Sequence, residues 1–347
     1  MPEDAGTADQ TPGAGAPEAP GAQSGAATAR AVAEERPPLE VRGLTKRFKD
    51  VTAVRDLSFS VGRGEICALV GPNGAGKTTS MRILATLSRP TAGSAYIEGL
   101  DCWRQMRLVR TKMGYMPERY GLYKDLPVRD YLELFASAYG IPEREHKDLV
   151  DSLLELTGLR DFGSKAADSL SMGMRQRFFL ARTLVHSPSV LILDEPAANL
   201  DPRARVEFRD ILRVLQQRGV TILISSHILS ELQDVCDHVV IIERGQLIHA
   251  GSLEDALGAA RETPAVRIDL AEGQDAEKAK GVLEGVDGVT GVQTAEESLL
   301  VEYSGGEEVV AAITKALVVA DVQVDRLAED KASLEELFMR LTKGDLH

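Results

Sequence analysis

No stretch of about 18 consecutive apolar residues occurs in this chain of 347 residues, so it holds no candidate membrane-spanning helix. If the protein acts at a membrane, another chain must supply the span. The basic-then-apolar layout of a signal peptide is also missing from the first residues. Cysteine is scarce: Cys67, Cys102 and Cys236 are far apart, odd in number and form no C-x-x-C pair. Zinc and redox-motif readings therefore have no support, and a reduced cytosolic setting fits. Cys67 lies within an apolar run and reads as a small core residue. A basic stripe is missing too, which leaves nucleic acid without an electrostatic footprint.

The charge that is present is acidic and uneven. The net charge is −13, of which residues 1–36 carry −4 and residues 262–347 carry −11, while residues 37–261 are near neutral at +2. So acidic a C-terminal flank disfavours direct docking on anionic lipid headgroups. Residues 1–36 are rich in Ala, Gly, Pro and Glu with almost no large apolar residues, and are expected to be a disordered leader.

Order is expected from Leu39, where residues alternate as in a strand, and again over Ala53 to Val61. From Glu65 strands and helices alternate. Ile66 to Val70, Val190 to Leu193, Val220 to Ser225 and His238 to Glu243 are short apolar runs, and Pro202 to Arg218 reads as a helix with proline in its first turn. This is an α/β pattern with a mostly parallel central sheet. Residues 119–187 carry helical periods over Val128 to Tyr139, His146 to Leu156 and Gly173 to Val185, and are expected to form an inserted helical subdomain. Glu243 to Gln246 reads as a hairpin turn. The division predicted is a leader over 1–36, an α/β domain over 37–255 and a small α+β accessory domain over 256–347. The last of these runs β-α-β-β-α-β from Ala265 to Leu327, a ferredoxin-like order. It closes on a helix with a capping box, Ser333 with Glu336, and with Leu334, Leu337, Phe338 and Leu341 on one face.

Gly71-Pro72-Asn73-Gly74-Ala75-Gly76-Lys77-Thr78-Thr79 fits the phosphate-cradling pattern G-x-x-x-x-G-K-[ST], and it sits between an apolar strand and a helix, as that pattern requires. Gly71, Gly74 and Gly76 let backbone N–H groups turn toward phosphates, helped by the helix N-terminus. Lys77 is expected to reach the β- and γ-phosphates and Thr78 to bind Mg²⁺, with Asn73 and Thr79 as further contacts. Val190 to Pro196 is an apolar strand ending in Asp194 and Glu195. A parallel strand delivers its C-terminal end to the ligand crevice. Asp194 is expected to hold Mg²⁺, and Glu195 to polarise the attacking water as general base. Ser171 opens a helix, either as an ordinary cap or as a γ-phosphate receptor together with Gly173. Asp201 reads as the cap of the helix at Pro202, and His227 as a polar group after a strand end.

Taken in order, the P-loop, Leu170-Ser171-Met172-Gly173-Met174-Arg175-Gln176-Arg177, Leu193-Asp194-Glu195-Pro196, Leu200-Asp201 and Ser225-Ser226-His227 resemble the ATP-binding-cassette ATPases. The resemblance covers about residues 39–250. It implies ATP and Mg²⁺ as cofactors, and two cassettes, alike or different, sandwiching two ATP molecules head to tail. Ser171 and Gly173 would then contact the γ-phosphate held by the other cassette. Asp201 would link the two sites, His227 would hold the γ-phosphate and water, and Phe48 would stack on adenine. Glu118, in Gly114-Tyr115-Met116-Pro117-Glu118, stands where most cassettes have glutamine, and its carboxylate can still reach Mg²⁺. Met172 and Met174 replace common signature residues, and Ala198 stands where serine is frequent. None of these changes removes a catalytic group.

The region from Tyr115 to Tyr123 and the closing Ser333 to Phe338 resemble bacterial type-2 exporter cassettes. That resemblance implies a transport-coupled ATPase on the cytoplasmic face of the membrane, touching it only through a separate transmembrane permease subunit. The alternatives are an importer cassette, or a soluble cassette acting on ribosomes or DNA. The last is disfavoured by the missing basic surface and by the span of only 94 residues from Lys77 to Ser171.

Overall fold

The computed structural model describes residues 36–198, 200–226, 232–260, 263–295, 298–330 and 334–341. His227, Ser333 and nearly all of the expected leader lie outside the described residues. Pro37–His347 forms one compact unit by its chain contacts.

The first strands, β1 (Leu39–Phe48) and β2 (Val51–Val61), form an antiparallel hairpin. Next come β3 (Ile66–Val70), α1 (Lys77–Leu84), β4 (Ala92–Ile97) and β5 (Leu100–Asp101). Then follow α2 (Met106–Lys112), β6 (Met113–Met116) and the helical lobe: α3 (Val128–Ala138), α4 (Glu143–Leu156) and α5 (Met172–Leu184). The α/β alternation resumes with β7 (Val190–Asp194), α6 (Pro202–Gln217), β8 (Thr221–Ser225), β9 (His238–Glu243), β10 (Gln246–Ser252) and α7 (Leu253–Ala260).

These strands make two sheets. One is antiparallel in the order β2-β1-β4-β5. The other has six strands in the order β10-β9-β3-β8-β7-β6, parallel except for the edge strand β10. The expected parallel core is therefore present, and its strands are apolar throughout because both faces are covered. With side chains alternating across the sheet, Ile66, Ala68, Val70, Leu191 and Leu193 face the helical lobe and α6. Cys67, Leu69, Val190 and Ile192 face α1 and the antiparallel sheet. Cys67 is fully buried, as its setting predicted. Arg244 and Gly245 turn β9 into β10 with positive φ angles of 48° and 83°, the geometry of a tight hairpin.

The remaining elements are β11 (Ala265–Leu270), α8 (Ala276–Leu283), β12 (Val289–Ala295), β13 (Ser298–Tyr303), α9 (Glu307–Val319), β14 (Val324–Glu329) and α10 (Leu334–Leu341). The four strands form an antiparallel sheet in the order β12-β13-β11-β14, with its own core around Ile268, Leu299, Val301 and Ile313. This is the ferredoxin-like α+β layout expected from the element order.

The closing helix takes a course that sequence patterning did not reveal. Leu334, Leu337 and Phe338 are buried in the core of the parallel-sheet unit, beside Leu232, Val235, Leu253 and Ala256. The Leu334 N–H donates to Gln233 Oε1 at 3.1 Å. The small sheet is thus an excursion between α7 and α10, which pack on each other. The boundary expected at residue 255 falls inside α7.

Leu334 is fully buried in that shared core, so Leu334→Ala is expected to cost about 2–5 kcal/mol. Urea unfolding followed by probes in the parallel-sheet unit should register the loss, because the side chain supports that unit.

Candidate functional site

The glycine-rich loop leaves β3 at Val70 and enters α1 at Lys77. Two glycines are required by its path. A Cβ on Gly71 would lie 2.2 Å from the Ile242 carbonyl oxygen. Gly76 has φ 104°, and a Cβ there would lie 2.6 Å from the Ala53 carbonyl oxygen. The loop is also tied to the β9–β10 turn, whose Gly245 N–H donates to the Ala75 carbonyl at 3.0 Å. Neighbouring strands therefore hold the loop's backbone curved before any ligand arrives.

Lys77 is buried, and its ammonium donates to the Gly71 carbonyl at 2.6 Å and the Pro72 carbonyl at 3.3 Å. Burial lowers its pKa, and the nearby Glu195 and Asp194 carboxylates oppose that shift. The Thr78 hydroxyl donates to Asp194 Oδ1 at 3.2 Å, and the Ser225 hydroxyl donates to the same oxygen at 2.9 Å. Ser225 Oγ also accepts from the Glu195 N–H at 3.0 Å. Asp194 is 1% exposed, and its Oδ2 has no hydrogen-bond partner among the described residues. Burial is the main force raising its pKa above the ordinary carboxylate range. The Ser225 and Thr78 hydrogen bonds oppose the rise, and the Glu195 and Glu118 charges add to it.

Glu195 follows at the strand end with φ 51°, a left-handed conformation uncommon outside glycine. Its carboxylate borders a cleft of about 530 Å³ that is also lined by the P-loop, Phe48 and Glu118. Phe48 stands at the mouth, half-exposed, with the Lys46 ammonium 4.7 Å from its ring centre. Glu118 is half-exposed, with its carboxylate 3.7 Å from Arg119 Nε.

The cleft thus gathers Gly74, Gly76, Asn73, Lys77, Thr78 and Thr79 with Glu195, Glu118 and Phe48. Ser171, Gly173 and Asp201 do not line it among the described residues. Ser171 caps α5, accepting from the Met174 N–H at 3.3 Å, and Asp201 caps α6, accepting from the Ala204 N–H at 2.8 Å. A Cβ on Gly173 would lie 2.7 Å from Ala204 Cβ, so α5 packs closely on the first turn of α6. His227 lies outside the described residues.

Sequence reading missed the role of Ser225, whose single hydroxyl ties Asp194 to the Glu195 backbone. The available signal was a polar residue at the C-terminal end of an apolar parallel strand.

Two features test the fit of a magnesium nucleotide. Open space beside Gly74, in a loop that runs into a helix N-terminus, suits polyphosphate, and an unpartnered buried carboxylate oxygen beside a hydroxyl suits a hard cation. No cluster of three acidic, His or Cys ligands exists among the described residues. A cation held here would therefore draw on Asp194, Thr78 and the phosphates, as Mg²⁺ does in nucleotide sites.

The folded chain retains the Asp194 proton to higher pH than the unfolded chain does. This group's contribution to stability is therefore greatest below the ordinary carboxylate pKa and is lost as pH rises through the raised value. Asp194→Asn is neutral at every pH. It is expected to raise the melting temperature of the nucleotide-free protein at neutral pH by about 2–4 °C, while leaving it little changed in acid. Thermal scans of both proteins across the carboxylate range check the crossover.

Comparison with known proteins agrees with this geometry. The family model described as ABC transporter matches residues 54–198. The daunorubicin resistance ATP-binding protein DrrA3 of Streptomyces coeruleorubidus is 34% identical over 308 residues, covering 88% of this chain and 96% of that protein. Nod factor export ATP-binding protein I of Ralstonia nicotianae is 32% identical over 312 residues, covering 89% and 95% of the two chains. The probable multidrug ABC transporter ATP-binding protein YbhF of Escherichia coli (strain K12) is 37% identical over 217 residues, 62% of this chain but 37% of its own length. Among solved structures, an ATP-binding subunit of an ABC transporter superposes with a TM-score of 0.59 at 32% identity, covering 64% of this chain and 92% of that one. The cbiO1 protein from Clostridium perfringens superposes at 0.60 with 28% identity, covering 65% and 92%. The P-loop cleft, the parallel sheet that builds it and relatives matched over nearly their whole length establish that this chain belongs to the ABC transporter family, as one of its ATP-binding proteins.

Proposed function

We propose that the chain is the ATP-hydrolysing subunit of an exporter, working as a pair of cassettes that close around two ATP molecules and drive a separate membrane-spanning permease. The observation that carries this reading is that Lys77, Thr78 and Glu195 line one cleft with the glycine loop, while the buried Asp194 accepts a hydrogen bond from Thr78 directly behind it. Among the described residues no helix is long and apolar enough to cross a membrane, which supports a membrane-spanning partner and a peripheral place on the cytoplasmic face. Export is supported by relatives described by drug resistance and by Nod factor export.

The backbone N–H groups of residues 71–79 would bind the phosphates, with Lys77 turning its ammonium from the loop carbonyls to the β- and γ-phosphates. Phe48 would stack on adenine. Thr78 and Asp194, with Glu118 at the cleft wall, would hold Mg²⁺, which supplies positive charge to the leaving phosphate oxygens. Glu195 would accept the proton of the attacking water at its carboxylate, with the turn at φ 51° and the Ser225 bond fixing where that carboxylate stands. His227 would hold the γ-phosphate and the water.

Ser171 and Gly173 lie outside their own chain's cleft, which supports their contacting nucleotide on the opposite cassette, with Asp201 between the two sites. ATP would then close the pair by supplying contacts that neither face has alone, and hydrolysis would release them. Residues 37–255 would form the cassette, with a helical lobe over about 119–187. The accessory domain over 256–347, whose sheet is inserted between α7 and α10, would brace the closed pair.

Glu195→Gln is expected to lower ATP turnover about 100-fold or more while leaving nucleotide binding intact. With ATP it should retain a polytopic membrane protein in a pull-down from detergent-extracted membranes. Recovery of ribosomes, or of a cassette dimer alone from well-extracted membranes, would refute the transporter reading.

A further inference from the structure

The helix that begins at Ser171 ends in an aromatic clasp that none of the chemistry above employs. Arg182, in the last turn of α5, places its guanidinium carbon 4.7 Å from the ring centre of Phe179, 5.3 Å from Phe135 and 5.9 Å from Tyr120. Its fixed neighbours are three π faces, an arrangement that suits a planar, weakly hydrated guanidinium. Tyr120 is two residues past Glu118, and its ring centre lies 3.5 Å from that of Phe179. Phe135 belongs to the helical lobe, stacked on Tyr131, which meets Phe178 edge-on.

A second anchor holds the other end of the same segment. His186, just past α5, has its Nε2 3.1 Å from the Met113 carbonyl and stacks on Tyr139 with ring centres 4.0 Å apart. The stretch that carries Glu118 is therefore gripped at Met113 and at Tyr120, both times by residues from the C-terminal side of one helix. The opposite end of that helix is Ser171, eleven residues from Arg182, about 16 Å along a rigid rod. Both ends of the Glu118 segment are therefore tied to the same helix.

We propose that Arg182 is a positioning residue that couples the Glu118 loop of a chain's own cleft to the Ser171 end of α5, so that nucleotide in one cleft is registered at the surface offered to the neighbouring cassette. The proposal rests on the paired-cassette reading above. Arg182 touches no substrate; it acts through Tyr120 and the helix axis.

The test measures ATP turnover against ATP concentration in the full chain, with the binding of a fluorescent ATP analogue read separately. Arg182→Met keeps the length of the side chain and packs against rings, so it is expected to melt like the parent. It should bind the analogue within about twofold of the parent, yet lose about fivefold or more in kcat, with its Hill coefficient falling toward one. Arg182→Lys, which keeps a cation over the rings but not the planar guanidinium, should recover part of the loss. Tyr120→Leu should reproduce the defect, and the double variant should be no worse than either single one.

Parental kcat and cooperativity in Arg182→Met would overturn the proposal. So would a parallel fall in melting temperature, analogue binding and kcat that lysine does not restore, since that is the pattern of a packing role alone. Dimerisation of Glu195→Gln with ATP separates the two readings. Its absence with Arg182 intact would overturn the paired cassette and the coupling together. A normal dimer formed equally well with Arg182→Met would overturn the coupling alone.

Discussion

One carboxylate oxygen organises the site. Asp194 Oδ1 accepts from Thr78 at the start of α1 and from Ser225 at the end of β8. Three elements far apart in the sequence are joined at that atom. The parallel sheet makes this possible: β3, β7 and β8 all run the same way, so the turns that leave them emerge on one edge. Burying the carboxylate there raises its pKa, and its second oxygen has no hydrogen-bond partner among the described residues. A group arranged in this way is costly without a cation and suited to one, the trade between stability and function that active sites commonly show.

The same economy of atoms extends to Glu195. Its left-handed backbone would cost free energy in an ordinary turn, and Ser225 pins it by receiving its N–H. Positioning of the proposed base therefore depends on a serine in a neighbouring strand. The P-loop shows a comparable dependence. Its curvature is set against the carbonyls of Ala53 and Ile242, which belong to β2 and β9, so the phosphate cradle is built by tertiary contact as much as by its own glycines.

Much of this was legible in the residues. The apolar runs of β3, β7 and β8 declared a sheet buried on both faces, and the strand–loop–helix setting of Lys77 and the strand-end position of Asp194 declared the cleft. The β-α-β-β-α-β order of the C-terminal region declared its sheet, because each element there has its own period and its own turn residues. Ser225 was not legible as a site residue, because a serine after three apolar residues looks the same whether it merely ends a strand or also ties a neighbouring strand's carboxylate to the backbone that follows it. The course of α10 was hidden for a related reason. Its apolar stripe at Leu334, Leu337 and Phe338 states that a face must be covered, but not by which surface.

Local periodicity and short motifs, acting through backbone sterics and side-chain alternation, by themselves determined the class of fold and the presence of a phosphate cradle with two acidic residues behind it. Only the tertiary structure decided which groups share an atom. It set Thr78 and Ser225 on one oxygen of Asp194, folded Lys77 back onto the loop carbonyls, held Arg182 among three rings and returned the last helix to the first domain's core. The physical reason is that hydrogen bonds and ring contacts depend on ångström-scale approach between segments that can lie more than a hundred residues apart. The packing of the whole sheet fixes that approach, and no local pattern encodes it.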